Sequence, residues 1–115
     1  MNFDEAIMAH KQWKARFLAF LKGQEQLDPS VVARDNVCAL GQWIHRESAQ
    51  HRSLPEFSEL RIKHAHFHEV AAELVMKAVG MSVAEAQQMV GTGTNYSRAS
   101  AECVNAIVAL RKRLE

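Results

Sequence analysis

The sequence has few of the residues that interrupt helices, with two prolines and five glycines in 115 residues. Its β-branched residues do not alternate with polar ones, so nothing indicates a half-buried β-sheet. No stretch approaches the roughly 18 to 20 consecutive apolar residues that a membrane-spanning helix requires. The pattern therefore predicts an all-α chain without membrane insertion.

The charge balance and the cysteine content argue against further classes of protein. The 14 basic and 13 acidic residues leave a net charge of +1, which gives no electrostatic reason to expect nucleic acid as a partner. The two cysteines, Cys38 and Cys103, are too few for a disulfide framework. The N-terminus lacks the basic and then apolar segments of a secretory signal. These absences predict a cytoplasmic protein with reduced thiols.

Catalytic motifs are missing as well. The sequence has no phosphate-binding loop and no pairing of a nucleophile with a base, so we do not expect an enzyme. A length of 115 residues with 48% hydrophobic residues is typical of one globular domain, and we expect residues 1–115 to form it.

Four helical stretches follow one another along the chain. The first runs from residue 2 or 4 to residue 22, and the second from 31 or 35 to 47. The polar stretch RESAQHRS (46–53) is then a connection. A capping box that starts at Ser53 opens a third helix, which ends near residue 79, and SVAE (82–85) opens a fourth, which reaches the chain end. In the fourth, GTGTNYS (91–97) favours a kink or a close helix contact. Short connections between four such elements predict an antiparallel four-helix bundle.

The segment KHAHFHE (63–69) places three histidines at alternate positions of the third helix. His64 falls in a row with apolar residues, His68 lies one turn later and about 40° around the axis, and His66 points to the polar face. Two imidazoles at positions i and i+4 can converge on one metal ion. The alternative is that both are partly buried histidines with ordinary hydrogen bonds.

Two further residues can complete a metal site. His10 interrupts the apolar stripe of the first helix, and Cys38 lies near the start of the second, where the helix dipole favours a thiolate. Taken singly, they are more typical of a core histidine and a small buried side chain. With His64 and His68 they form a set of three nitrogens and one sulfur, which suits tetrahedral zinc. Four protein ligands close such a site, so its role would be structural or regulatory.

Three segments resemble the chemoreceptor zinc-binding domain family: AHKQWK (9–14), DNVCALGQWI (35–44) and HAHFHEVAAEL (64–74). The shared pattern is a His followed three residues later by Trp, then Cys-x-[Leu/Phe]-Gly-x-Trp, then His-x-x-x-His. The resemblance implies a cytoplasmic helical bundle that binds Zn²⁺ through His10, Cys38, His64 and His68.

The resemblance also implies a role in signal transduction. Members of the family are commonly regulatory modules of bacterial chemoreceptors, where they act in chemotaxis, and of diguanylate cyclases, and several are homodimers. The proposed signal is zinc occupancy, or redox sensing through oxidation of the zinc-bound cysteine by hypochlorous acid. No signalling or cyclase sequence is present here. The partner would therefore be either a covalently linked or a separate signalling protein, and the chain either a fragment or a stand-alone member.

Two other functions compete with this interpretation. A structural dimerisation bundle would leave the histidines incidental. A di-iron or oxygen-binding bundle would need inward carboxylates, often in Glu-x-x-His pairs, and no such pair occurs in the sequence. Of the remaining candidates, His45 is too far along its helix to share a metal with Cys38, and Cys103 fits a buried structural thiol.

Overall fold

The chain is helical along most of its length. The computed structural model describes residues 1–115, apart from the side chain of Ser48. Its six helices are α1 (Phe3–Leu21), α2 (Pro29–Val32), α3 (Ala39–His51), α4 (Pro55–Ala78), α5 (Val83–Gln88) and α6 (Asn95–Leu114). No strand occurs in the described part of the chain. The all-α prediction is confirmed, whereas the antiparallel arrangement of four helices stays a prediction.

The longest helix, α4, is central to the packing. It contacts α2, α3 and α6, while α1 packs against α5 and α6. The row of apolar residues in which His64 was predicted to fall is buried together with the adjoining row, which confirms the 3.6-residue period: Phe57, Leu60, His64, Phe67, Ala71, Leu74 and Ala78. His66 is exposed, as predicted.

Aromatic packing fixes the middle of α1 against the rest of the core. Trp13 stacks on Phe17 with ring centroids 5.5 Å apart and also lies 5.4 Å from the ring of Tyr96 on α6. Burial of each such side chain stabilises the fold by about 2 to 3 kcal/mol. His10 lies almost one turn before Trp13 on the same buried face, so this packing sets its position.

The predicted second helix is two helices with a break at residues 33–38. In α2, the carboxylate of Asp28 caps the first turn by accepting a hydrogen bond from the Ser30 amide (2.9 Å). The chain then leaves the helix, and α3 begins only at Ala39. Cys38 therefore lies immediately before a helix rather than inside one.

The boundary between α3 and α4 also differs from the prediction. The polar stretch 46–53 is helical as far as His51, whose ring packs 5.7 Å from the rings of both Trp43 and Phe57. This aromatic contact extends the helix over residues whose polarity favours a connection. The residue that caps α4 is Leu54, with no side-chain hydrogen bond, so the predicted cap at Ser53 is wrong. Because Pro55 follows, Leu54 is held in an extended conformation and the helix begins one residue later.

The predicted fourth helix is likewise interrupted. Ser82 caps α5, as predicted, by accepting a hydrogen bond from the Glu85 amide (3.1 Å). Residues 89–94 are not α-helical, and Gly93 has a φ of +83°, which a residue with a side chain rarely adopts. Thr94 then caps α6. The glycine-rich segment thus forms a full break rather than a kink.

None of the helices, over the residues that the structure describes, is both long enough and apolar enough to cross a membrane.

Candidate metal centre

The four predicted ligands meet at one point of the fold. His10 comes from α1, Cys38 from the residue before α3, and His64 and His68 from α4; one donor atom of each lies within 4.8 Å of all the others. The Cys38 sulfur is 3.2 Å from His64 Nε2 and 3.7 Å from His68 Nε2. The two Nε2 atoms are 3.1 Å apart.

These distances can be compared with the edges of a zinc tetrahedron. Zinc binds imidazole nitrogen at about 2.0 to 2.1 Å and thiolate sulfur at about 2.3 Å. In a regular tetrahedron the donor atoms are then separated by about 3.3 Å for two nitrogens and about 3.6 Å for nitrogen and sulfur. The three observed separations differ from these values by no more than a few tenths of an ångström, so Cys38, His64 and His68 are spaced as three ligands of one zinc ion. The donor atom of His10 lies within 4.8 Å of these three, and the set contains no carboxylate oxygen, the donor on which di-iron bundles depend.

Backbone carbonyls orient two of the three imidazoles. His10 Nδ1 is 2.7 Å from the carbonyl oxygen of Ala6, and His68 Nδ1 is 2.8 Å from that of Val32. A carbonyl can only accept a hydrogen bond, so each Nδ1 carries the proton and donates it. The lone pair of each ring is then on Nε2, the atom with which an imidazole so oriented binds a metal.

The contact with Val32 gives α2 a role in the site. Val32 is the last residue of α2, and the carbonyl groups at a helix end have no partner within the helix. His68 supplies that partner from α4. One short helix is thereby joined to the central helix through a side chain of the cluster.

The thiol of Cys38 occupies the capping position of α3. Its sulfur accepts a hydrogen bond from the Gly41 amide (3.3 Å), and its carbonyl accepts one from the Gln42 amide (2.9 Å). A Cβ atom on Gly41 would lie 1.7 Å from the carbonyl oxygen of Asp35. Only glycine permits the backbone of the 33–38 segment to lie this close to α3. Asp35 is further held to α3 by its carboxylate, which is 3.2 Å from His45 Nε2.

Burial disfavours charge on every member of the cluster. It lowers the pKa of His10 and His68, and it lowers the pKa of His64 to about 2, with the neighbouring imidazoles adding to the shift. Burial raises the pKa of the Cys38 thiol and outweighs the opposite effect of the Gly41 and Leu40 amides. The predicted effect of the helix start is present, since these amides lower the pKa of Cys38, but burial has the larger effect.

The other histidines and the second cysteine lie outside the cluster. His66 is exposed on the opposite face of α4, and His45 is exposed on α3. Cys103 is fully buried among apolar side chains of α6, and burial raises its pKa to about 12. Among the described residues, the group of neighbouring donor atoms includes none of these three, and their exclusion from a metal site stays a prediction.

Sequence reasoning missed the groups that support the cluster. The carbonyls of Ala6 and Val32 leave no signal in a sequence, since every residue has one. The spacing of four between Ala6 and His10 permits such a bond along a helix, but it is common to all helical residues. The sequence likewise does not indicate that the Asp35 backbone fills the space beside Gly41.

Comparison with known proteins agrees with the geometry. A family model described as the chemoreceptor zinc-binding domain matches residues 10–75, which is more than half of the chain and includes all four members of the cluster. No curated protein and no solved structure matches the chain.

Proposed function

Since the chain belongs to the chemoreceptor zinc-binding domain family, a regulatory family whose members bind Zn²⁺, we propose that His10, Cys38, His64 and His68 are its zinc ligands. The observation that carries this assignment is the meeting of four donor atoms within 4.8 Å, drawn from three separate segments of the chain. Donor type supports it as well, because three imidazoles and one thiolate suit zinc.

Bound zinc would join α1, the 33–38 segment and α4 at one point, and would hold the Cys38 sulfur as a thiolate. The four side chains would not contribute alike. His10 is 5% exposed and His64 is 1% exposed, so both are fixed by the packing around them. Cys38 and His68 are only half-buried. Cys38 is the last residue of the 33–38 segment, and His68 contacts Val32, the residue immediately before it. The side of the site that responds to a signal would therefore be this segment.

The signal would be the zinc level, or oxidation of Cys38 by hypochlorous acid. In the second case the sulfur gains oxygen and becomes a sulfenate, and chlorine leaves as chloride. A sulfenate is a poorer zinc ligand than a thiolate, so the 33–38 segment would lose its attachment to α4. Movement of this segment displaces the start of α3, which gives the domain two conformations that a partner can distinguish.

The partner would be a chemoreceptor or a diguanylate cyclase, either covalently linked to this chain or separate from it. We place the domain in the cytoplasm, as a homodimer whose subunits each consist of one domain. Size-exclusion chromatography with light scattering tests the homodimer directly.

The zinc site is tested by metal analysis of protein purified without a polyhistidine tag, followed by competition titration. We expect one zinc ion per chain. Replacement of any one of the four residues by Ala should lower the zinc affinity about 100-fold or more. The substitution removes one of the four bonds to zinc and leaves a tetrahedral position without a protein ligand.

The matched control is His66→Ala, which removes an exposed imidazole from the same helix. Its affinity should equal that of the wild type. A chain that binds no zinc, and whose melting temperature is the same with and without a chelator, would instead be a structural helical bundle.

A further inference from the structure

Asp35 is the charged residue closest in sequence to Cys38, on the segment that ends at the metal cluster. Its backbone carbonyl lies against Gly41, whose amide donates a hydrogen bond to the Cys38 sulfur (3.3 Å). Its carboxylate accepts a hydrogen bond from His45 Nε2 (3.2 Å), and the side chain is 30% exposed, so water screens its charge only in part. A negative charge is therefore held in place beside the cluster.

The charge of Asp35 acts on both half-buried members of the cluster. Burial has the largest effect on their pKa values, raising that of Cys38 and lowering that of His68. The negative charge of Asp35 raises both pKa values, because it opposes a thiolate and favours an imidazolium. Its influence on this side of the cluster thus favours positive charge.

Other charges near this segment act on other groups. Arg34 lies near Asp28, whose pKa is lowered first by hydrogen bonds within its own turn and then by the charge of this arginine. His45 acts on His64, where burial and the neighbouring imidazoles have larger effects on the pKa. Asp35 is therefore the charge that acts on Cys38 and His68.

The charge that the cluster gains depends on the ion that binds. Burial favours the neutral forms of the Cys38 thiol and of the imidazoles. A divalent ion replaces the thiol proton, which leaves to solvent, and the site gains one positive charge. A monovalent ion such as Cu⁺ replaces the same proton and leaves the charge unchanged. Thiolate and imidazole suit both zinc and copper, so the donor types alone do not separate the two ions.

Resting on the zinc site proposed above, we propose that Asp35 is a specificity-determining residue whose carboxylate, held by His45, favours a divalent ion over a monovalent one at the cluster. The carboxylate is not a member of the donor group and acts through its charge. It attracts the positive charge that the site gains with Zn²⁺, whereas the site with Cu⁺ has no added charge to attract.

The test compares two ions in two proteins. The affinities of the full chain and of Asp35→Asn for Zn²⁺ and, without oxygen, for Cu⁺ are measured at neutral pH by competition with colorimetric chelators. Asn keeps the size of the side chain and an oxygen that can accept from His45, but it removes the charge. We expect the zinc affinity to fall about three- to tenfold and the Cu⁺ affinity to change by less than about twofold.

Two further variants separate charge from shape. Asp35→Glu keeps the charge and should retain most of the zinc affinity. Glu73→Gln removes an exposed carboxylate from the polar face of α4 and should leave both affinities unchanged. Co²⁺, a divalent ion with visible absorption, should lose affinity in Asp35→Asn by the same factor as Zn²⁺, with an unchanged tetrahedral spectrum.

An equal loss of Zn²⁺ and Cu⁺ affinity in Asp35→Asn would overturn the proposal, because a distorted ligand set weakens both ions and the role of Asp35 would be structural. An unchanged zinc affinity in this variant would overturn it as well. Failure of the zinc site is distinguishable from both outcomes, since the wild type would then contain no zinc in metal analysis.

Discussion

Two interrupted stretches of the chain have the same outline but are held by different contacts. In each, a short helix is followed by six residues outside any α-helix and then by a long helix: α2, 33–38 and α3, and then α5, 89–94 and α6. The second break is closed locally. Thr94 donates a hydrogen bond to the Gly91 carbonyl (2.7 Å) and accepts one from the Ser97 amide (3.2 Å).

The first break has, besides its local hydrogen bonds, contacts with residues that are distant in sequence. The Val32 carbonyl before it accepts from His68, and the Cys38 sulfur at its end contacts His64 and His68. A break whose hydrogen bonds are local keeps its conformation whatever happens elsewhere. One whose contacts are 26 to 36 residues away depends on the state of the cluster. The first stretch is therefore the part of the molecule that a change at the cluster can move.

The largest expected effect comes from glycines, one in each stretch. Gly41→Ala places a Cβ atom 1.7 Å from the Asp35 carbonyl, so the backbone of the first break must move. We expect the free energy of unfolding to fall by about 3 kcal/mol. Gly91→Ala is the matched change in the second stretch, where the nearest atom would be 3.4 Å away. Its effect in urea denaturation should be below about 1 kcal/mol, and equal losses in the two variants would contradict the comparison.

The same contrast explains how far the sequence could predict the site. The burial of His64 and the exposure of His66 follow from one helical period, because α4 is continuous and buries one face. The sequence predicted that His10, Cys38, His64 and His68 would come together, and one donor atom of each lies within 4.8 Å of the others. The start of α3 was predicted too early in the chain, because the contacts of Cys38 with His64 and His68 on α4 leave no signal in the local sequence. The end of α3 was missed for a similar reason, since His51 is held by the rings of Trp43 and Phe57.

Removal of zinc should affect the first break and leave the second unchanged. In hydrogen exchange followed by mass spectrometry, we expect a chelator to accelerate exchange of the amides in residues 33–41 by about 10- to 100-fold, since contacts to the cluster close this segment. Exchange in residues 89–97 should change by less than about twofold. Uniform acceleration in both segments would mean that zinc stabilises the whole fold rather than one segment.

Each stretch also contains one cysteine. Substitution of Cys103 should lower the stability, whereas substitution of Cys38 should lower the zinc affinity. Cys103→Ser buries a hydroxyl among apolar side chains and should lower the free energy of unfolding by about 1 to 2 kcal/mol, with unchanged zinc affinity. Cys38→Ser should lower the zinc affinity, while its effect on the unfolding of the metal-free chain should be smaller because the side chain is half-buried. Thermal denaturation and zinc titration of both variants measure the two effects. A loss of zinc affinity in Cys103→Ser would link α6 to the site.

The smallest effects are expected at the helix caps. There the two stretches should lose the same unfolding free energy but differ in zinc affinity. Asp28 caps α2 and Thr94 caps α6, each with a side-chain oxygen that accepts an amide hydrogen. Replacement of either by Ala should lower the free energy of unfolding of the zinc-loaded protein by about 1 kcal/mol. Only Asp28→Ala should also weaken zinc binding, by about three- to tenfold, because fraying of α2 displaces the Val32 carbonyl that orients His68. Equal zinc affinity in the two variants would show that the imidazole keeps its orientation without α2, and the first break would then depend on the Cys38 sulfur alone.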